Sequence, residues 1–118
     1  MIFDVEVLLK GTEAVVTETI RNEMREPRTW TDSEVHEILR LMLLQFDLVQ
    51  YPGTKERTVS LLGLSWIVTP LKNGVAIAIE IPSGTVMAGP FEIEADWLTA
   101  AISRVLAKPH SSTTQPLN

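Results

Sequence analysis

From Val59 to Ile93, large branched residues alternate with small or polar ones, most regularly in Val75-Ala76-Ile77-Ala78-Ile79-Glu80-Ile81. A period of two is that of a half-buried strand. Asn73-Gly74 precedes this run, and both central residues of a type I′ hairpin turn need positive φ, which Asn-Gly supplies. Read as a two-residue loop, it sets Lys72 opposite Val75, Pro70 opposite Ile77, Val68 opposite Ile79 and Trp66 opposite Ile81. Residues facing each other across a pair of strands share a face. One face then carries Leu62, Leu64, Trp66, Val68, Ile77, Ile79 and Ile81. The reverse face carries Ile67, Thr69, Ala76, Ala78 and Glu80. Pro82-Ser83-Gly84 marks a second turn. As a three-residue loop it pairs Ile81 with Thr85 and puts Met87 on the large-residue face. A two-residue Ser-Gly loop puts Val86 and Ala88 there instead; the three-residue loop is the expectation. Gly89-Pro90 reads as a bulge or bend, after which Phe91 and Ile93 resume the alternation.

Elsewhere the spacing is helical. Val5, Leu8, Leu9, Thr12, Val16, Thr19, Ile20 and Met24 recur at three and four, Asp4 is a candidate cap, and Pro27 ends the pattern. This predicts one long helix over 4–26. Val5, Val7 and Leu9 also alternate, so the alternative is a strand at 2–9 followed by a helix from Thr12. Thr31-Asp32-Ser33-Glu34 is a capping box, with Trp30 placed to pack on Val35 as a hydrophobic staple. Val35, Ile38, Leu39, Met42, Phe46 and Val49 form one apolar face of the helix that follows. Leu41, Leu43, Leu44 and Leu48 widen it until it needs cover on more than one side. Gln50–Arg57 is a loop. Ala95–Ala107 forms a last helix on a stripe of Leu98, Ala101, Ile102, Val105 and Leu106. Glu94 and Asp96 stand near its start and Arg104 and Lys108 near its end, as the helix dipole prefers. The expected fold is α+β: a three-stranded antiparallel meander packed with three helices, in the order α-α-β-β-β-α. It forms one domain over 1–109, followed by a flexible polar tail at 110–118.

At 118 residues the chain is long enough for one core. It has no cysteine, which excludes disulfides, thiolate nucleophiles and cysteine-ligated metal. The net charge of −5 and pI near 4.9 argue against nucleic acid and against anionic membrane surfaces as partners. The apolar run Leu41-Met42-Leu43-Leu44 is far too short to span a bilayer. Met-Ile-Phe-Asp-Val-Glu at the start has no basic region and does not read as a signal peptide. A cytoplasmic protein is the expectation.

Candidate chemistry is sparse. On the second helix Asp32 precedes His36 by four residues and Arg40 follows it by four, a spacing that suits an acid–base pair or two metal ligands but is also common on solvated helix faces. A third ligand is not identifiable, and no metal or other cofactor is expected. The Gly84–Gly89 stretch lacks the lysine and the helix start of a phosphate loop. Gly63-Leu64-Ser65-Trp66 lacks the second glycine of a hydrolase elbow. Lys55, Arg57 and Lys72 are not interleaved with aromatics. The pattern supports a small acidic, non-enzymatic interaction protein acting as a homo-oligomer, with a homodimer the expected form, and binding another protein. Leu41, Leu44 and Leu48 on the helix and Ala76 and Ala78 on the small-residue sheet face are the candidate interface. The alternative is a small-molecule-binding or catalytic domain whose site lies between sheet and helices and uses Asp32, His36 and Glu80. A third reading, helices one and two as a DNA-binding pair, is disfavoured by the acidic start of the second helix.

Overall fold

The computed structural model describes residues 1–12, 14–53 and 65–107. Residues 4–26 are not a helix. Ile2–Leu9 forms strand β1 and Val15–Arg21 forms strand β2, joined through Gly11 at φ 88°. A spacing of four is even, so Val5 with Leu9 and Val16 with Ile20 share a face in a strand as well as in a helix. The strict alternation of Phe3, Val5 and Val7, all buried, with exposed Ile2, Asp4, Glu6 and Leu8 decides between the two periods. The β-branched run Val15-Val16-Thr17, with Thr19 and Ile20, adds to it, because such side chains lose rotamer freedom in a helix and fit a pleated surface. The alternative of a strand at 2–9 is therefore correct for β1, while the helix from Thr12 is absent.

After a 3-10 turn at Pro27–Thr29, helix α1 runs over Asp32–Gln50. Strands β3 (Trp66–Leu71), β4 (Gly74–Ile81) and β5 (Gly84–Phe91) follow, and helix α2 spans Ala95–Ala107. Among the described residues the sheet is five-stranded and antiparallel, in the order β2-β1-β5-β4-β3. The expected three-stranded meander with three helices is thus corrected to five strands and two helices among the described residues, because the first 26 residues supply a hairpin that pairs with β5.

The anticipated β3–β4 faces are present, but the partners differ. Leu71 pairs with Gly74, so the loop is Lys72-Asn73, and Trp66, Val68 and Pro70 face Ile79, Ile77 and Val75. The slip is two residues, and an even slip leaves every side chain on its face. Leu62 and Leu64, assigned above to that face, lie outside the described residues, as do Gly63, Lys55, Arg57 and the tail.

In the next hairpin Ile81 pairs with Gly84, the loop is Pro82-Ser83, and Val86 and Ala88 point inward with Met87 outward. The three-residue loop is therefore wrong. Gly84 is not the turn's left-handed residue but the first residue of β5, pressed against β1. A Cβ on it would overlap the carbonyl oxygen of Leu8 and lie 3.0 Å from Phe46 Cε1. Gly89-Pro90 is the bulge: Val75 pairs with Phe91 and Ile77 with Ala88, so two residues of β5 stand against Ala76 alone. A Cβ at Gly89 would come within 2.9 Å of the Val75 carbonyl oxygen.

Both helices lie on one face of the sheet. Phe3, Val5, Val7, Ile77, Ile79, Val86 and Phe91 pack there against Ile38, Leu39 and Met42 of α1 and Leu98, Ile102 and Val105 of α2. Phe91 is the hub, with ring centroids 5.4 Å from Phe3 and 5.1 Å from Trp30 in tilted geometry. The Trp30 indole N–H donates to the Arg25 carbonyl at 2.9 Å, so its polar edge is satisfied within this core.

The capping box forms as its sequence predicts. The Thr31 N–H donates to Glu34 Oε1 at 2.8 Å, the Thr31 hydroxyl bonds the same oxygen, and the Arg25 guanidinium reaches Oε2 at 2.9 Å. The bonds from Thr31, with a smaller contribution from Arg25, hold the Glu34 carboxyl at about 2, below its usual 4.5. No helix among the described residues is long and apolar enough to cross a membrane.

Candidate functional site

A strand exposes alternate residues on opposite sides, so covering one side of the sheet leaves a second surface defined by the same registers. Across the strands from β2 to β4, one row of this outer face reads Val15, Leu8, Thr85, Glu80. The next, reaching β3, reads Thr17, Glu6, Met87, Ala78, Ile67. Thr19, Asp4, Gly89, Ala76 and Thr69 form the third, and Arg21 with Ile2 and Gly74 with Leu71 stand at the far end. Ile2, Val15 and Ile67 are more than half exposed, and Leu71, Met87 and Leu8 are 44%, 40% and 36% exposed. Isolated exposed apolar residues are ordinary, but a shared face of them is the signature of an interaction surface.

The face has two halves. The half on β3, β4 and β5 presents Ile67, Thr69, Leu71, Ala78, Thr85 and Met87, with Glu80 at its end as its one carboxylate. Small residues at Gly89, Ala76 and Ala78 keep it low and flat. The half on β1 and β2 mixes Ile2, Leu8 and Val15 with Asp4, Glu6 and Arg21. The Thr19 hydroxyl donates to Asp4 Oδ1 at 2.8 Å.

The residues singled out from sequence separate on this frame. Leu44 is buried inside the chain, and Leu41 and Leu48 are half-buried. Ala76 is shielded at the bulge with 2% exposure, whereas Ala78 is half-buried in the middle of the outer face. Asp32 is taken by Arg104 of α2 in a two-pronged ion pair, Nη2 to Oδ1 at 2.9 Å and Nε to Oδ2 at 3.0 Å. The hydrogen bonds that Arg104 donates to Asp32, and the charge of that carboxylate, raise the pKa of the Arg104 guanidinium, and Arg104 also lies 5.8 Å from the centroid of the Trp97 ring. His36 is half-buried on α1, on the inner side of the sheet, and Glu80 is exposed on the outer side. Asp32, His36 and Glu80 are therefore not brought together.

Glu80 instead borders an open depression of about 560 Å³ where the β1–β2 and β4–β5 turns meet, with Leu8, Lys10, Thr12, Pro82 and Thr85 around it. The two turns are tied by the Lys10 N–H donating to the Ser83 carbonyl at 2.8 Å.

Sequence reasoning missed Ile2, Leu8, Val15 and Met87 as surface residues. Leu8 and Val15 fall within the expected helix over 4–26, Ile2 stands just before it, and Met87 was turned inward by the wrong loop length. The signal that finds them is the alternation in 2–9, which puts Ile2 and Leu8 on the face opposite Phe3, Val5 and Val7. No protein-family model, curated protein or solved structure matches this chain.

Proposed function

We propose that this protein is a non-enzymatic interaction protein that forms a homodimer through the β3–β4–β5 half of its outer sheet face. One observation carries the reading: both helices pack on the inner face, while Ile2, Leu8, Val15, Ile67, Leu71 and Met87 stay exposed together on the other. A flat antiparallel face with large side chains at its margins and alanines in its middle suits sheet-on-sheet packing. A two-fold axis running along β4 lays this half on itself, with its one carboxylate, Glu80, at the exposed end of the strand, and leaves Asp4, Glu6 and Arg21 at the rim, where charges stay solvated. The separation of Asp32 and His36 from Glu80 speaks against a shared catalytic or ligand site between sheet and helices.

Size-exclusion chromatography with light scattering across the micromolar range tests this. The expected species is a dimer that Ile67→Glu or Met87→Glu converts to a monomer with an unchanged circular dichroism spectrum. A monomer at every concentration, or a dimer indifferent to both substitutions, would sink the proposal. The interface anticipated on α1 behaves differently here: Leu44→Glu buries a charge inside the chain and unfolds it rather than dissociating it.

A further inference from the structure

The helical layer does not cover β2. Val16, Glu18 and Ile20 point to the helix side of the sheet, opposite Val7, Val5 and Phe3, yet Val16 and Glu18 are exposed there and Ile20 is only half-buried. β2 is also an edge of the sheet. Its backbone pattern follows from one pair of bonds at its end. Met1 and Asn22 exchange hydrogen bonds, the Asn22 N–H donating at 3.0 Å and the terminal amine donating back at 2.6 Å. Hydrogen-bonded and non-bonded pairs alternate along an antiparallel ladder. Ile20, Glu18 and Val16 therefore bond to β1, and Val15, Thr17, Thr19 and Arg21 turn their N–H and C=O groups to the open edge. The strand is rich in β-branched residues and contains no proline. The opposite edge strand, β3, carries Pro70.

A second copy fits this edge poorly. Continuing the sheet about a two-fold axis, the register that sets Val16 against Ile20 also sets Glu18 against Glu18, a like-charge pair. Registers centred on Thr17 or Thr19 put Glu18 opposite Val16 or Ile20 instead. No described residue forms an ion pair with Glu18.

We propose that the open edge of β2 accepts an extended segment of a different protein as a sixth strand, antiparallel, with a lysine or arginine opposite Glu18 and apolar residues two positions either side of it. The apolar residues lie over Val16 and Ile20. The basic residue sits in a non-hydrogen-bonded pair, where facing side chains are closest. Main-chain bonds to Thr17 and Thr19 give affinity, and the side-chain pattern gives selectivity.

The probe is the capped heptapeptide Thr-Val-Thr-Lys-Thr-Val-Thr, against the same peptide with Glu at its centre, titrated into the whole chain with amide chemical shifts followed by NMR. The lysine peptide is expected to shift the Thr17 and Thr19 amides, with the glutamate peptide binding about tenfold more weakly. Glu18→Lys reverses that preference. Thr17→Pro removes an outward N–H that β1 does not use and abolishes binding of both peptides. No shifts on β2 with either peptide, equal affinity for the two, or failure of Glu18→Lys to reverse the order overturns the proposal. So do β2 shifts that depend on protein concentration without peptide, which would assign the edge to a second copy. Ile67→Glu leaves peptide binding intact, so this edge and the outer-face dimer fail or survive separately.

Discussion

On the inner face of the sheet Val5, Ile77, Ile79, Val86 and Phe91 are each 0% exposed, while on the outer face of the same sheet Ile2 is 58%, Ile67 54% and Met87 40% exposed. The side chains are alike in chemistry, so hydrophobicity does not separate the faces. Supply of covering structure does. Two helices cover one face of this sheet except at β2, and which side chains the other face presents is determined by strand periodicity. The inner face carries folding energy; the outer face carries little of it and is free to carry recognition. Substitutions sharpen that contrast in proportion to how much packing each removes.

Phe91→Ala is expected to have the largest effect. It removes the ring that Phe3 and Trp30 both pack on, at the point where the bulge brings β5 across Val75. Truncating a fully buried phenylalanine costs about 3–5 kcal/mol, read as a lower urea midpoint at unchanged slope. A cost near that of an outer-face truncation would dissolve the distinction between the faces.

The β3–β4 faces and the α1 start were legible in the sequence because their determinants are local. The alternation over Val75–Ile81 and the Asn73-Gly74 turn lie within ten residues, and the capping box within four. The register was not, since Asn-Gly can be placed in the loop or at its edge without changing which side each residue faces. The first hairpin was hidden because a spacing of four satisfies both periods. Its stability comes from pairing with β5, whose residues lie some eighty positions later. The Asp32–Arg104 pair, 72 residues apart, was invisible for the same reason, and the local Asp32–His36 spacing pointed to chemistry in its place. Of the candidate interface, Ala78 was found on the open face from alternation alone. Leu44 is buried, which an apolar helix flank does not reveal by itself.

An intermediate effect is expected where the inner layer is anchored. Glu34→Gln keeps the size of the side chain but removes the charge that Thr31 and Arg25 hold, costing about 1 kcal/mol at neutral pH. The folded carboxyl titrates at about 2 against 4.5 for its ordinary value, so the depressed group stabilises the fold fully above pH 4.5. That stabilisation fades as pH falls through this window and is absent below about 2. The wild type and Glu34→Gln should therefore differ in urea stability at pH 7 and converge in acid. A difference that persists at pH 2 would mean that the substitution acts through packing rather than charge.

Ile67→Thr is the smallest change in folding and the sharpest for the comparison. Ile67 is 54% exposed and faces Ala78 across the strands, so its methyl groups have little to pack against within one chain. Threonine keeps the β-branch and the strand preference, and the expected change in monomer stability is within about 0.5 kcal/mol. Association should respond differently, because a residue that is exposed in one copy is buried when two outer faces meet. Measuring the urea midpoint at low concentration and the dimer fraction at high concentration on the same variant separates the two roles. Loss of dimer with an unmoved midpoint assigns Ile67 to recognition. A midpoint lowered by as much as a core truncation would show the outer face to be covered within the monomer, and the contrast between the two faces would fall with it.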